Sequence, residues 1–448
     1  MGGTIRVLRQ AACRAVMRKL YIVRFAVMCP PPPVADDARC QAAHQLLARA
    51  ALRPDALALG RLEIREPSLF ASDGTSATLR HYVQVFDVAD ARLVDLRYAT
   101  WRLDLDADGG WRVADHAEVA AGDERALAFL ADGLRADTTR AVGPAAADHS
   151  AVRGVLAGYG LAADAGDADL VGDLYTIDAE VRITGDQTYH GRSSMAAMIG
   201  GEFHRSLLPW AGHAMGPAMV WTDGDTAFSA HIGRTYGPPP KDPAARAGWR
   251  RRPFRYSVNR WELRRGTDGQ WRVALRDSLP VPGPRWRRAL AQAVTDMGTF
   301  NQRAGSPTGA GETTDAALST ITAAAFALTI GTASAGRWPF AAHANLTIDG
   351  QDVDLSGSSV TGRLCGRLSC AGVLPTLPIV RWAADRATAC GAVISYVVGE
   401  RGRVEPLRID IAKWTLNRCN GHWVVGELTM AAADSAAGMA LVREANDG

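Results

Sequence analysis

Lysine is nearly absent from this chain of 448 residues, since only Lys19, Lys241 and Lys413 occur among its 50 basic residues. The 47 acidic residues bring the formal net charge to +3, and neither sign forms a run. Nucleic acids and other polyanions are bound by basic patches or runs, so no nucleic-acid partner is expected. The excess of arginine suggests GC-rich coding and indicates no mechanism.

Cysteine is missing from the long stretch between Cys40 and Cys365, and the seven cysteines include no Cys-x-x-Cys pair. Cys365 and Cys370 lack a histidine cluster at zinc spacing. This odd, scattered set favours a reduced, cytoplasmic location. A glycine-rich phosphate loop, a nucleophile elbow and metal-ligand spacing are absent too, so neither a cofactor nor a metal is expected.

Long hydrophobic runs are few. Residues 318–336 are apolar but rich in Ala, Thr and Ser, which favours a packed helix over a membrane span. Residues 1–35 are basic and apolar, and Arg18, Lys19 and Arg24 interrupt the hydrophobic stretch of a signal peptide. That segment is interpreted as helical, with a targeting segment or a mis-started N-terminus as open alternatives.

The composition is that of a folded protein, with 47% hydrophobic and 22% charged residues. It excludes disordered, collagen-like and coiled-coil classes. The length suits about three domains of roughly 150 residues each.

An internal repeat supports that number. Three segments share a strand, a glycine-containing turn and a returning strand, with a tryptophan on each arm: Trp101 and Trp111, Trp261 and Trp271, and Trp414 and Trp423. A preceding hairpin repeats as well, because residues 67–81 align without a gap on residues 217–231, and the third copy has a counterpart at 378–390. The predicted copies are residues 36–122, 146–282 and 312–436, joined by linkers at 122–146 and 283–312.

The middle copy has the most complete pattern. A helix is predicted over 148–163 with Gly166 as its stop, and Asp167 is expected to cap a second helix that runs to about Leu174. A strand at 179–184 and a helix opened by Ser193 and Ser194 follow. Four strands complete the unit, near 211–222, 225–236, 253–264 and 270–278. Three helices with a long curved antiparallel sheet predict an α+β unit that closes as a cone.

Four stretches of this copy carry a family resemblance: AVRGVLAGYGLAADAGDADLVGDLYTIDAEVRI, YHGRSSMAAMI, GHAMGPAMVWTDGDTA and FRYSVNRWELRRGTDGQWRVALRD. Residues 146–282 resemble a SnoaL-like domain of the NTF2-like superfamily, and the flanking copies resemble it weakly. The resemblance implies three tandem units, each with a curved sheet around about three helices and a cone-shaped pocket. Among lyases and isomerases of this superfamily, a polar residue, an Asp and a His at matching places face the cone. The resemblance therefore nominates Tyr159, Asp164 and His213 as catalytic.

The chemistry of these residues is compatible with that role. A buried carboxylate near a helix C-terminus can act as a proton acceptor, and a histidine paired with Asp164 would be held in one tautomer. Tyr159 could donate a hydrogen bond to a substrate oxygen as charge develops there. A solvated helix-end acid and a structural histidine are the alternatives for Asp164 and His213.

Substrate contacts are predicted from Arg255, Tyr175, Trp210 and Tyr256. Arg255 could hold a polar group or pair with a neighbouring strand, and the aromatic residues could line a pocket or pack in the core. His81 and His231, which align, are interpreted as a shared strand site, and His190 as part of a turn.

The flanking copies lack the polar set. Copy three offers only Ala, Phe, Thr and Ile at the helix positions and no histidine before its hairpin, while the first helices of copy one would have to come from residues 1–35. The sequence predicts one active site per chain, in an intramolecular pseudo-trimer or a homodimer. The expected activity is that of a cofactor-independent lyase or isomerase on a hydrophobic small molecule, such as a polyketide, terpenoid or steroid. A non-catalytic binding or assembly protein is the alternative.

Overall fold

A computed structural model describes residues 35–66, 68–107, 109–143, 147–184, 187–242, 244, 251–303, 314–330, 339–353, 372–383, 385–399, 403–420 and 422–447. Residues 1–34, the subject of the signal-peptide alternatives, lie outside this set. The described chain is α+β, as expected.

The helices are α1 Ala35–Ala51, α2 Pro54–Ala58, α3 Ala126–Ala131, α4 Leu134–Ala141, α5 Asp148–Ala165, α6 Ala168–Asp173, α7 Gly191–Ile199, α8 Glu202–Arg205, α9 Trp286–Arg303, α10 Thr314–Ile330 and α11 Ala436–Asp447. The strands of the first unit are β1 Arg61–Ile64, β2 Ser68–Ser72, β3 Ser76–Asp87, β4 Arg92–Leu105 and β5 Trp111–Ala120. Those of the middle unit are β6 Tyr175–Ile183, β7 Gln187–His190, β8 Gly212–Met215, β9 Met219–Asp223, β10 Thr226–Tyr236, β11 Arg255–Arg265 and β12 Trp271–Val281. Those of the third unit are β13 Phe340–Ile348, β14 Gln351–Val353, β15 Gly372–Pro375, β16 Ile379–Ala383, β17 Arg386–Val398, β18 Val404–Cys419 and β19 His422–Ala432.

The strands of each unit form one sheet, and the sheets repeat one plan. The middle sheet has the order β7-β6-β12-β11-β10-β8, and the third has β14-β13-β19-β18-β17-β15. β9 and β16 occupy equivalent places, on β10 and β17. Within the described residues the first sheet has the order β1-β3-β4-β5, with β2 on β3, and lacks counterparts of β6 and β7.

The strand register confirms that the hairpins are equivalent. Trp261 pairs with Ser229, Trp101 with Leu79 and Trp414 with Ala389, each at the same position relative to its turn. All three tryptophans are buried, so each anchors the core of its own sheet. The residue boundaries proposed for the three copies remain predictions.

Local signals explain the start of the middle unit. Gly166 ends α5 in a left-handed conformation with φ of 72°, which glycine adopts without a steric cost. The Asp167 side chain then accepts a hydrogen bond from the Leu170 amide at 2.9 Å and caps α6. The predicted opening of the next helix is wrong by two residues: α7 begins at Gly191, so Ser193 and Ser194 lie inside it.

The two predicted linkers contain helices. α3 and α4 occupy most of 122–146, and a buried ion pair of 2.7 Å joins Asp137 of α4 to Arg80 of β3. α9 occupies much of 283–312 and packs on α10 and β11. Alanine and leucine favour helix even where the surrounding composition resembles a junction.

Among the described residues, the first helix of the first unit is α1, which begins at Ala35, whereas the sequence predicts this helix within residues 1–35. Trp111 Nε1 donates to the Arg39 carbonyl on α1 at 2.9 Å. The equivalent Trp271 Nε1 donates to Asp148 on α5 at 3.4 Å. α1 therefore occupies the place that α5 has in the middle unit.

Each unit contacts the other two. The Tyr236 hydroxyl donates to Gln84 Oε1 at 2.9 Å between the middle and first units. The ring centroids of Tyr256 and Tyr396 lie 6.1 Å apart between the middle and third units. The Val380 amide donates to Gln45 Oε1 at 2.7 Å between the third and first units. These contacts are those that an intramolecular pseudo-trimer requires, and the oligomeric state of the whole chain remains a prediction.

The apolar helix α10 is packed against protein. Its residues from Ala317 to Thr329 are buried, mostly against α9 and the third sheet. None of the helices in the described ranges has the length and apolar character needed for a membrane span.

Candidate functional site

The site of the middle unit is built where α5 meets β8. A Cβ atom at Gly160 would lie 2.7 Å from the His213 carbonyl oxygen, so only glycine allows β8 to approach the helix this closely. Asp164 lies one turn further along α5 and is 1% exposed. The approach brings the Asp164 carboxylate and the His213 side chain together.

Asp164 accepts three hydrogen bonds. Its Oδ1 lies 2.6 Å from His213 Nδ1, and its Oδ2 accepts from the His213 backbone amide at 2.9 Å. The Tyr82 hydroxyl, from the first unit, donates to Oδ2 at 2.5 Å. Burial, with the negative charge of Asp164 beside it, raises the pKa of Tyr82 well above its usual value, so the phenol keeps its proton. These donors offset the unfavourable position of a carboxylate at a helix C-terminus.

This contact sets the tautomer of His213. A carboxylate accepts hydrogen bonds, so Nδ1 carries the proton and Nε2 of the neutral ring is the basic nitrogen. Nε2 makes no hydrogen bond within the described residues, and the side chain is 13% exposed. The ring stacks on His204 with a centroid distance of 5.6 Å. Burial lowers the pKa of His204, and a protonated His213 beside it would lower that pKa further, so the neutral form of His204 is favoured.

A second polar cluster lies beside His213. The Tyr159 ring is 6.2 Å from the His213 ring, edge to face, and 5.6 Å from Trp261. Arg276 of β12 lies between these rings, with its guanidinium carbon 4.3 Å from the Tyr159 centroid and 4.5 Å from the Trp261 centroid. Its Nη1 donates to the Tyr175 hydroxyl at 3.3 Å, and its Nη2 to Asn259 Oδ1 at 3.2 Å. The described partners of this buried cation are neutral groups.

The structure thus brings Tyr159, Asp164, His213 and Tyr175 into one region. Arg255 lies near them: burial lowers its pKa, the Arg276 charge lowers it further and Tyr159 raises it. Its Nη2 donates to Ser278 Oγ at 3.1 Å, so it is tied to a neighbouring strand.

Tyr256 and Trp210 lie outside this region, and their predicted substrate contacts stay predictions. Successive residues of a strand point to opposite faces, so Tyr256 points away from the face of Arg255 and lines a cavity between the units. Trp210 packs against Gly122 of the first unit, where a Cβ atom would lie 2.4 Å from the indole ring. Both residues belong to contacts between units.

Three site residues were missed by the sequence reasoning: Tyr82, His204 and Arg276. Side chains two residues apart on a strand point to the same face, so the alternation along β12 could have placed Arg276 on the inward face. Tyr82 comes from another unit, and no local pattern indicates such a contact. His81 and His231, interpreted as an equivalent pair, are both fully buried, and they contact Trp101 and Trp261 respectively.

The third unit shows what replaces these residues. Val373 pairs in its sheet as His213 does, and its amide donates to Thr329 Oγ1 at 3.1 Å, so Thr329 corresponds to Asp164. Leu428 stands opposite Trp414 where Arg276 stands opposite Trp261. Phe340 takes the place of Tyr175, and the spacing along α10 puts Ala324 at the place of Tyr159. The carboxylate, imidazole, guanidinium and phenols of the middle unit have no counterparts at these described positions of the third unit.

Across the described ranges, no group of three or more His, Cys, Asp or Glu side chains is placed to hold a metal ion. The described cysteines Cys40, Cys390 and Cys419 form no disulfide bonds with one another.

The middle unit has the curved sheet and helix order of a small cone-shaped α+β domain. Residues 144–277 match the family model described as a SnoaL-like domain. The chain is also similar to an NTF2-like protein with a cystatin-like fold from Novosphingobium aromaticivorans, with 33% identity, 31% of this chain and 84% of that chain covered, and a TM-score of 0.28. The chain belongs to the SnoaL-like proteins of the NTF2-like superfamily.

Two further solved structures are similar at lower identity. A candidate scytalone dehydratase from Novosphingobium aromaticivorans is 13% identical, with 29% of this chain and 81% of that chain covered and a TM-score of 0.24. A candidate dehydratase of the NTF2-like family from Streptomyces avermitilis is 16% identical, with 28% of this chain and 90% of that chain covered and a TM-score of 0.24. No curated protein matches the chain.

Proposed function

We propose that the middle unit is a cofactor-independent lyase or isomerase that removes a proton from carbon in a hydrophobic small molecule. The substrate class comprises polyketides, terpenoids and steroids that have a carbonyl group next to the acidic carbon. The observation that carries this proposal is the 2.6 Å contact that fixes His213 Nδ1 on the buried Asp164 carboxylate. A histidine held in this way presents a basic Nε2 and becomes a stabilised imidazolium when it accepts a proton.

The neighbouring cluster supports the same chemistry. Removal of a proton next to a carbonyl places negative charge on the oxygen, and Arg276 and the Tyr159 hydroxyl are suitable groups to stabilise it. Arg276 has neutral described partners, so its charge is available to an anionic transition state. The carboxylate beside His213 and the cation beside Tyr159 provide the two opposite charges that such a reaction needs.

The comparison between units argues against a purely structural role. The third unit forms the same strand order with Thr329, Val373 and Leu428 at the equivalent positions. The fold therefore does not require the buried polar groups of the middle unit. Buried polar groups are costly unless they are hydrogen-bonded, so a functional use explains why one unit has them.

The test is hydrogen–deuterium exchange at carbon. The full chain is incubated in D₂O with an enolisable cyclic ketone such as α-tetralone, and deuterium incorporation is followed by mass spectrometry. We expect exchange above the buffer rate in the wild type and its loss in His213→Ala. His343→Ala, at an exposed histidine of the third unit, is the matched control and should retain exchange. Exchange at the buffer rate in the wild type, or unchanged exchange in His213→Ala, would contradict the proposal.

A binding function without catalysis is the second candidate. It is favoured by the position of Arg276, which lies within 4.5 Å of two ring centroids and takes up space inside the cone. In that case the polar set would orient a ligand and no proton would be transferred. A wild-type protein that binds α-tetralone in calorimetry but leaves its deuterium content unchanged would support this second function.

A further inference from the structure

A cavity of about 220 Å³ lies where the three units meet, and we call it the junction cavity. Its wall includes Phe86 and Leu93 from the first unit, Arg234 and Tyr256 from the middle unit, and Leu374 and Tyr396 from the third. It is separate from the Asp164–His213 region, because its middle-unit residues lie on the other face of the sheet.

The strand register places the side chain of Arg234 on the side of the sheet that faces this cavity. Arg234 pairs directly with Tyr256 across β10 and β11, so both side chains project from the same face. Tyr236, two residues further along β10, projects from that face too. Arg234, Tyr236 and Tyr256 therefore share one face of the sheet, and all three line the junction cavity.

Arg234 is buried without a hydrogen-bond partner. The residue is 2% exposed, and none of its three guanidinium nitrogens makes a hydrogen bond to another described residue. The closest carboxylate oxygen described is Glu66 Oε1, at 3.9 Å from Nη2. Buried arginine normally has all its donors occupied, so this side chain is prepared for an acceptor that comes from outside the chain.

The surrounding charges do not supply that acceptor. Burial raises the pKa of Glu66 to about 8, although the charge of Arg234 lowers it in part. This carboxyl is therefore mostly protonated at neutral pH. At the exposed mouth, Asp90 is paired with Arg92 at 3.2 Å and Glu405 with Arg252 at 3.1 Å. The interior of the cavity is left with a positive charge.

The rest of the wall is apolar. The rings of Tyr256 and Tyr396 stack with 6.1 Å between centroids, and Phe86, Leu93 and Leu374 complete the surface. A planar carboxylate matches the forked donors of a guanidinium, and an apolar body matches this wall. We propose that the junction cavity binds a small organic carboxylate, with its anionic group on Arg234 and its apolar body against Tyr256, Tyr396 and Leu374.

The test is isothermal titration calorimetry on the full chain with benzoate and hexanoate. We expect both to bind, neutral benzamide to bind at least tenfold more weakly than benzoate, and inorganic phosphate to bind more weakly than either carboxylate. Arg234→Met should weaken benzoate binding at least tenfold. Arg264→Met, at an exposed arginine on β11, is the matched control and should bind as the wild type does.

A second variant guards against a folding defect in Arg234→Met. Leu374→Trp fills the cavity and leaves Arg234 in place, and it should also abolish benzoate binding while the circular dichroism spectrum is retained. The proposal is overturned if neither carboxylate binds the wild type, if phosphate binds as tightly as benzoate, or if Leu374→Trp binds normally. It does not depend on the proposed catalysis, so His213→Ala should bind benzoate normally whether or not it exchanges deuterium.

Discussion

The middle and third units have the same strand order around interiors of opposite character. In the middle unit a carboxylate, an imidazole, a guanidinium and two phenols lie within reach of one another; in the third, Thr329, Val373, Leu428, Phe340 and Ala324 stand at those places. One hydrogen bond is common to both. The amide of His213 or Val373 is bound by the side chain of the helix residue, Asp164 or Thr329.

This comparison separates what the fold needs from what the chemistry needs. The helix must supply an acceptor to the amide of the edge strand, since that bond is present in both units. A threonine hydroxyl is sufficient for this purpose. The carboxylate of Asp164 provides two further contacts, to His213 Nδ1 and to the Tyr82 hydroxyl, and these belong to the middle unit.

The largest effect is expected when Asp164 and His213 are replaced by threonine and valine, the residues at the equivalent places of the third unit. In Asp164→Thr combined with His213→Val, the strand amide keeps an acceptor, so the fold should persist, but the base is gone. We expect ketone exchange to fall by about 10²–10⁴-fold, the usual contribution of a general base. Rates are measured by mass spectrometry and folding by thermal denaturation. A double variant that still exchanges at the wild-type rate would show that the pair is not the base.

A triple substitution tests the polar cluster around Arg276. Arg276→Leu alone removes the donors to the Tyr175 hydroxyl and to Asn259 Oδ1. It should lower the free energy of unfolding by about 1–3 kcal/mol. The third unit has Phe340 at the place of Tyr175 and Ala412 at the place of Asn259. When Arg276→Leu is combined with Tyr175→Phe and Asn259→Ala, this loss should largely disappear. Both proteins should have reduced ketone exchange. Urea denaturation measures the stabilities, and equal destabilisation of the two variants would refute the equivalence of the interiors.

A smaller effect is expected from the contact between units. Tyr82→Phe removes one of the three donors to Asp164 and leaves His213 in place. We expect a loss of about 1 kcal/mol in the free energy of unfolding, the usual net contribution of one hydrogen bond, and a reduction in exchange rate of less than tenfold. Tyr98→Phe, which removes a hydroxyl that donates to the Ala211 carbonyl, is the matched control and should alter stability without altering the exchange rate.

The last prediction concerns the pH dependence of stability. Burial, and then the Arg276 charge, lower the pKa of His231 to about 3 from an ordinary 6.5. Below pH 6.5 the unfolded chain binds a proton that the folded chain excludes, so stability should fall on acidification by about 1.4 kcal/mol per pH unit until the folded pKa is reached. The third unit has Gly391 at this position in the register. His231→Leu should therefore lose stability less steeply between pH 6.5 and 5 in urea denaturation, and parallel slopes would contradict the assignment.

Sequence reasoning succeeded where the signal was local. Gly166 and Asp167 mark the end of one helix and the start of the next, and the structure places both as expected. The contact between Asp164 and His213 followed from family spacing on a single unit. The sequence reasoning did not indicate Tyr82 or the contact of Trp210 with the first unit, because the partners of both residues lie in another unit. It also assigned the neighbouring Arg255 and Tyr256 to one pocket, although a strand directs them to opposite faces.

The hydrogen bond from Tyr82 to Asp164 joins a strand of the first unit to a helix of the middle unit, between residues 82 positions apart. Contacts of such long sequence separation form late in folding, after the local hairpins. A middle unit that has folded but has not yet docked on the first would hold its carboxylate with two donors only. The complete set of three donors to Asp164 therefore forms only when the middle unit docks on the first unit. Completion of the site is in this way coupled to assembly of the units.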